Sequence, residues 1–396
     1  MKVNTYFRKV HVITILCCLL CVMCLSCSHP KDNTFGEYKS QTINVDLEKK
    51  SKPLNMSQYD IDSVVSISLP DSAKHFLPTK LIVKNNRIYI LDSQISKTIY
   101  VFDNIGNYMF KLGERGRAQD EYIGGPTDFF VDDENRTYVF DRMAQQIKKF
   151  KGNGQFSENI WTADLFIHSF GLLNNKHFVY CKSSSCREED VYNSALILSD
   201  LKSVNRKQLL RFKQNYSLLP SEQTFFSNDD RLSHIPILSD SVLVFKKDSL
   251  EKIIRFDFGG KFIQKERPDI AIEQNNLKDL NEYDGVTALE VYQETEALAY
   301  LRYIYNSTIR EWLYNKNTKQ TISGYYLFDC FLLNSRLKYL RGNQIVTIID
   351  QERIDFLRDS YSDSELHELL KQMPPQVKRI FDGNIPVPAV VYISLK

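Results

Sequence analysis

One pattern of short apolar strands and polar turns occurs twice in this chain, first in residues 81–112 and again in residues 129–156. The tetrapeptides YILD and YVFD of the two copies lie 49 residues apart, and Gly106 and Gly154, which follow the next strand, lie 48 apart. A repeat of this length built from short strands is typical of a β-propeller blade, which buries its faces only by stacking on neighbouring blades. The sequence therefore predicts an all-β propeller.

Less regular copies follow these two. A third unit begins at Phe170, a fourth contains Phe256-Asp257 and Gly260, and a fifth and a sixth cover residues 297–322 and 325–357. Six units at about 50 residues each suit a propeller. A strand at residues 63–69, a capped helix at 362–373 and a strand at 388–395 complete the prediction. We expect a six-bladed β-propeller with a short C-terminal helix and a closing strand.

The first 27 residues are predicted to be an export signal rather than part of the fold. Three basic residues precede an apolar run of 16 residues at 10–25, which is short for a membrane-spanning helix. The run ends in Leu25-Ser26-Cys27, which resembles a bacterial lipobox, so we predict lipid attachment at Cys27. An uncleaved anchor helix is the alternative. Residues 28–56 are polar and predict a flexible tether, and residues 57–396 are assigned to the propeller.

Charge and cysteine content narrow the possible partners. The whole chain has a formal net charge of +2, and the part that follows the signal is near neutral. It offers no basic footprint for nucleic acid. Cys181 and Cys186 could form a disulfide across a short loop in an oxidising compartment. His177 with these two cysteines would make a poor zinc site, because residues i and i+4 of a strand lie about 13 Å apart. We predict no metal and no cofactor.

The segment between the first two units carries a further motif. It reads GERGRAQDEY at 113–122 and is followed by Asp128-Phe129. Together with the signal, the repeated units and the C-terminal helix and strand, it resembles the bacterial six-bladed β-propeller lipoproteins, which are related in fold to NHL-repeat and TolB-like propellers. Residues 118–120 read AQD where that family commonly has Gly-Pro-Gly. The resemblance implies a fold and an exported, lipid-anchored state, and it implies no reaction.

The same segment supplies the candidate ligand-binding residues, which are Arg115, Arg117, Glu121 and Tyr122, with Asp120 beside them. A loop between blades can project over the central channel, where its arginines would bind carboxylate or hydroxyl groups. The alternative is a crossover whose charges pair with one another and lock the first two blades together.

Catalytic motifs are absent from the sequence, with no nucleotide-binding loop, Gly-x-Ser-x-Gly or His-Glu-x-x-His. Acidic clusters at 132–134, 188–190 and 229–230 fall in predicted turns, where acidic residues are common. We predict no catalytic residues. A polymer hydrolase or lyase remains the alternative, and it needs two carboxylates from different blades within about 5–10 Å.

The expected protein is an outer-membrane lipoprotein that faces the periplasm or the cell exterior. Ser28 rather than aspartate follows Cys27, which favours the outer membrane over retention in the inner membrane. Its expected role is a non-enzymatic binding or scaffold propeller for a glycan, a peptide or a protein at the channel face. Beyond that ligand, the expected partner is the membrane that the lipid enters.

Overall fold

The structure, a computed structural model, describes residues 38–48, 51–73, 76–182, 194–212, 223–228, 230–236, 239–263 and 283–396. The predicted signal peptide, Cys27 and Cys186 lie outside the described residues. Residues 38–396 belong to one compact unit.

Six sheets, each of them a propeller blade, account for the 25 strands of the described residues. Blade one contains β3 (Lys80–Lys84), β4 (Arg87–Asp92), β5 (Thr98–Asp103) and β6 (Tyr108–Leu112). Blade two contains β7 (Asp128–Val131), β8 (Thr137–Asp141), β9 (Gln146–Phe150) and β10 (Phe156–Trp161). Blade three contains β11 (Ile167–Leu173), β12 (His177–Lys182), β13 (Ser194–Asp200) and β14 (Arg206–Phe212). Blade four contains β1 (Lys39–Asn44), β15 (Phe225–Asn228), β16 (Arg231–His234), β17 (Ser241–Lys246) and β18 (Ser249–Asp257). Blade five contains β19 (Val286–Glu294), β20 (Leu298–Tyr305), β21 (Thr308–Asn315) and β22 (Gln320–Gly324). Blade six contains β2 (Tyr59–Ser66), β23 (Lys338–Arg341), β24 (Gln344–Ile349) and β25 (Ala389–Leu395).

Both ends of the propeller chain meet in blade six. The C-terminal strand β25 pairs with β24 on one side and with the N-terminal strand β2 on the other, and both pairings are antiparallel. The register of β2 runs from Tyr59 opposite Leu395 to Ser66 opposite Ala389. The predicted closing strand is therefore confirmed, and the early strand completes the last blade.

Local turn chemistry explains why the first two blades are so regular. Asn85 and Asn86 connect β3 to β4 with φ angles of 49° and 59°, which is the left-handed backbone that a tight hairpin requires. Gly106 and Gly154 have φ angles of 90° and 85° in the outer hairpins, a region that glycine reaches without a side-chain clash. Middle strands such as β4 are buried along nearly their whole length because a neighbouring blade covers each face.

The C-terminal helical region is larger than predicted. Three helices connect β24 to β25, namely α1 (Gln351–Ser360), α2 (Asp363–Lys371) and α3 (Pro375–Phe381). The predicted helix corresponds to α2, where Ser362 and Glu365 form a capping box. The sixth unit does not continue as strand to residue 357, because the Asp350 carboxylate accepts a hydrogen bond from the Arg353 amide and starts α1.

Part of the predicted tether packs against the propeller. Residues 39–44 form β1, which pairs in parallel with β18 as a fifth strand of blade four. Val45 and Leu54 are buried, and Leu54 forms a bridge with Phe328. In the part of the chain that the structure describes, no helix is long and apolar enough to cross a membrane.

We use the term upper face for the end of the propeller at which the innermost strands β3, β19 and β23 begin. Within each blade neighbouring strands alternate in direction from the channel outward, except that β1 is parallel to β18 in blade four. The connection from β24 to β25 therefore lies at the upper face, and so do the segments that precede β3 and β23.

Candidate functional site

A cavity of about 60 Å³ opens in the central channel. Its walls come from the innermost strands β3, β15, β19 and β23, with Arg302 of β20 and Arg336, which lies just before β23. Residues from four different blades thus converge on one small space, which is the usual place for a propeller to bind a ligand.

A network of amide hydrogen bonds joins three of these strands at the far end of the cavity. The Asn228 side chain donates to the Gln293 side-chain oxygen at 3.1 Å and to the Leu340 carbonyl at 2.7 Å. The Gln293 amide donates to the Lys338 carbonyl at 2.6 Å. Since Asn228 and Gln293 are both buried, these bonds hold the inner strands together at this end of the cavity.

The ion pairs around the cavity all place their basic member towards it. Three ion pairs contribute to its wall, and in each pair the basic residue lines the cavity while the acidic residue stands behind it. The pairs are Lys80 with Asp128 at 2.6 Å, Lys338 with Glu311 at 2.5 Å, and Arg302 with Glu290 at 2.7 Å. Among the described residues, no acidic side chain lines the cavity. The arrangement presents positive charge to whatever enters.

The two lysines are held in place by other groups. Burial lowers the pKa of Lys80 and of Lys338, and the carboxylate beside each ammonium group opposes that effect. Lys338 also donates to the Ser335 carbonyl at 2.7 Å, and the Lys80 ammonium lies 4.1 Å from the Phe130 ring centroid. The N–H donors of both ammonium groups are therefore largely occupied by acceptors within the protein.

Arg336 differs from the other basic residues of the wall. Arg302 donates to the backbone carbonyl of Arg336 at 2.5 Å, which fixes the position of its backbone. The Arg336 side chain is exposed and forms no ion pair with any residue that the structure describes. Its guanidinium group is thus available to a ligand with a planar anionic group.

A second, larger space lies beside the channel at the upper face. This cleft has a volume of about 470 Å³ and shares Arg336 and Leu337 with the channel cavity. Its other walls come from the start of α1, from Phe331 and from residues 77–78.

The residues predicted from the inter-blade motif lie elsewhere, between blades one and two. Tyr122 is fully buried, its hydroxyl donates to the Leu112 carbonyl at 2.7 Å, and its backbone bridges to Arg115. The Glu121 carboxylate accepts from the Ala118 amide at 2.8 Å. Arg115 and Arg117 are exposed. None of the four lines either space, and a ligand-binding role for Arg115 and Arg117 stays a prediction.

The acidic candidates serve as turn and ion-pair residues where they are described. The Asp132 carboxylate accepts from the amides of Glu134 and Arg136 at 3.0 and 2.8 Å and so closes its own turn. Asp230 pairs with Lys246 at 3.1 Å. The cluster at 188–190 and residue 229 lie outside the described residues. Asp132 and Asp230 are thus engaged in separate local contacts and do not form one site.

Of the two cysteines in the predicted disulfide, the structure describes only Cys181. Cys181 is buried, and burial raises the pKa of its thiol to about 12. Its predicted disulfide partner lies outside the described residues, so the disulfide stays a prediction. His177 contacts Asp248 at 3.1 Å. Within the described ranges, no three metal-binding side chains gather in one place.

Sequence reasoning missed Arg336, Phe331 and Phe356. The only signal was an arginine just ahead of a strand in NSRLKYL, and nothing in one sequence indicates which of many such arginines reaches the channel.

Three solved structures are similar to this chain to different degrees. A Bacteroides fragilis protein described as exported shares 18% identity over 90% of this chain and 100% of its own, with a TM-score of 0.65. A member of the DUF4221 family from Bacteroides vulgatus shares 10% identity over 86% of this chain and 98% of its own, with a TM-score of 0.48. Virginiamycin B lyase from Staphylococcus aureus shares 7% identity over 74% of this chain and 82% of its own, with a TM-score of 0.38.

At 18% identity the likeness to the Bacteroides fragilis protein bears on the fold alone, and the other two carry no argument. No curated protein matches the chain. The family model described as "Domain of unknown function (DUF4934)" matches residues 40–379, and the chain belongs to this family.

Proposed function

We propose that this protein is a non-enzymatic binding propeller that takes an anionic group of a glycan, peptide or protein at the upper end of its channel. The observation that carries this proposal is the orientation of charge in the channel cavity, where the basic member of each ion pair faces inward. Arg336 stands at the shared edge of cavity and cleft with its guanidinium group exposed. A carboxylate that enters would therefore gain charge-assisted hydrogen bonds.

The hydrolase or lyase alternative lacks a comparable observation. No described acidic residue lines the channel cavity. Asp350 and Glu352 line the neighbouring cleft, but the Asp350 carboxylate caps α1. A pair of converging catalytic carboxylates from two blades is thus not among the described walls.

Isothermal titration calorimetry of residues 28–396 tests the binding role. Anionic oligosaccharides and glutamate-rich peptides are compared with neutral oligosaccharides of equal length. We expect binding of anionic ligands only. Arg336→Gln should weaken it about 10- to 100-fold, since a hydrogen bond to a charged group is worth about 1.5–3 kcal/mol.

The matched control is Arg341→Gln, which changes an exposed arginine at the end of β23, the strand that Arg336 precedes. It should leave affinity unchanged. Equal binding of neutral ligands, or full affinity in Arg336→Gln, would overturn the proposal.

The proposal places this propeller outside the cytoplasm, anchored through lipid on Cys27 in the outer membrane. The support is the signal-like sequence of residues 1–27 and the lipobox-like end of that segment. Metabolic labelling with palmitate and membrane fractionation test it. Label should be found on the wild-type chain in the outer-membrane fraction and should be lost in Cys27→Ser. Equal labelling of the variant contradicts lipidation at this residue.

A further inference from the structure

We propose that the cleft beside the channel binds the sugar rings of an acidic oligosaccharide, with the ring of Phe356 as a stacking platform and Arg336 and Arg353 as donors to carboxylate and hydroxyl oxygens. This inference rests on the proposed function, because the cleft and the channel cavity share Arg336. It adds the class of ligand and the place where its rings lie.

The channel cavity and the cleft differ in volume and therefore suit different parts of a ligand. The channel cavity of about 60 Å³ offers room for about two water molecules at about 30 Å³ each, which suits a single carboxylate. The cleft of about 470 Å³ falls in the range of about 300–1,000 Å³ that is typical of ligand pockets. A ring that cannot enter the channel can therefore lie in the cleft while its anionic group reaches the shared arginine.

An aromatic platform is built into the wall of the cleft. The rings of Phe331 and Phe356 stack with their centroids 5.4 Å apart and their planes inclined by 20°. Phe356 nevertheless remains 54% exposed. Stacking on Phe331 holds the Phe356 ring in one orientation, so a ligand ring that packs on its free face does not have to immobilise it first.

Arg353 lines the cleft next to the stacked rings of Phe331 and Phe356. Its guanidinium group lies 4.7 Å from the Phe331 ring centroid, and one of its terminal nitrogens donates to the Phe331 carbonyl at 2.9 Å. The Nε atom is buried without a hydrogen-bond partner among the residues that the structure describes. A buried donor of this kind is costly unless something pairs with it. Because the Nε atom itself is not exposed to the cleft, a ligand oxygen there would accept from the terminal nitrogens of Arg353, which lines the cleft.

The mixture of groups favours a sugar over a peptide. Pyranose rings present a flat face of C–H groups to aromatic rings and a rim of hydroxyl groups to polar ones. Phe356 matches the face, while Arg353 as donor and the exposed carboxylate of Glu352 as acceptor match the rim. Because Arg336 adds a positive charge at the channel side, the favoured sugar carries a carboxylate, as a uronic acid does.

Calorimetric titrations of residues 28–396 with three probes test the inference. The probes are a galacturonic acid trimer, the neutral maltotriose and triglutamate. We expect the galacturonic acid trimer to bind more tightly than the other two. Phe356→Ala should weaken its binding about 5- to 100-fold, as loss of one stacking ring does for nucleobases, and Phe356→Tyr should restore it.

Tyr361→Ala is the matched control, because Tyr361 is an exposed aromatic residue directly after α1 and does not line the cleft. It should bind like the wild type, and thermal melting checks that each variant is folded. Equal affinity for triglutamate or for maltotriose, or full affinity in a folded Phe356→Ala variant, would overturn the inference. Triglutamate binding that depends on Arg336 but not on Phe356 would overturn it and leave the proposed function standing. Absence of binding by both anionic probes would count against both.

Discussion

Replacement of Glu311 by glutamine should destabilise the propeller far more than loss of an ordinary ion pair. The Lys338 ammonium lies 2.5 Å from the Glu311 carboxylate between blades five and six, and the two side chains are 1% and 5% exposed. The Tyr300 hydroxyl donates to the same carboxylate oxygen at 2.6 Å. Glutamine can keep that acceptor, so the substitution removes mainly the negative charge and leaves a buried ammonium group unbalanced.

The expected loss is about 3–5 kcal/mol, the range for breaking a buried pair by removing one partner. At about 2 °C per kcal/mol for a large domain, the melting temperature falls by about 6–10 °C. The double variant Glu311→Gln with Lys338→Met removes both charges and should lie within about 2 kcal/mol of the wild type, since buried pairs replaced as a unit are often neutral.

Urea unfolding of the four proteins in this cycle measures the coupling between the two residues. The exposed pair of Lys371 and Glu368, 2.6 Å apart with side chains 56% and 65% exposed, provides the control. Glu368→Gln should cost less than about 1 kcal/mol. The reasoning is refuted if Glu311→Gln costs no more than this control, or if the double variant loses the sum of both single losses.

Two further predictions concern backbone crowding and pH. Gly106→Ala should cost about 1–3 kcal/mol more than Gly260→Ala, because both glycines have a φ of 90° but a Cβ at Gly106 would clash with the Ser66 carbonyl, whereas none of the described atoms lies within 4 Å of one at Gly260. Equal losses in thermal unfolding would contradict this. Burial alone would raise the pKa of Glu294, but two lysine ammonium groups outweigh burial and lower it below its ordinary value of 4.5. Its share of stability is therefore present above about pH 4.5 and is lost as pH falls through the folded-state pKa. The free energy of unfolding should drop less between pH 5 and pH 3 in Glu294→Gln than in the wild type, and equal drops would rule out this role.

The regular blades could be predicted because their determinants are local. Asn85-Asn86 and Gly106 each specify a turn through backbone conformations that few other residues reach. The apolar runs between such turns then have the length of strands. These rules act over about ten residues, so one sequence is enough to read them.

Pairings over long sequence distances could not be predicted in this way. Strand β1 pairs with β18, more than 200 residues later in the chain, and its polar sequence KSQTIN gives no strong strand signal. The start of α1 was missed for a different reason. The helix follows β24 with only Asp350 between them, and the hydrogen bond from the Arg353 amide to the Asp350 side chain marks the change.

The residues of the candidate site that were not predicted, Arg336 and Phe356, lie in irregular connections for a related physical reason. In the regular blades, turn side chains are occupied by their own backbone, as Asp92 and Asp200 each accept hydrogen bonds from amides that follow them in the turn. The tightly bonded segment around Tyr122 is of the same kind. Arg336 and Phe356 belong to connections that complete no repeat, so their side chains are not required to close a turn or fill a blade interface. Side chains without such duties are available to a ligand, which is why the irregular connections contribute Arg336 and Phe356 to the proposed site while the blade strands contribute the paired basic residues of the cavity wall.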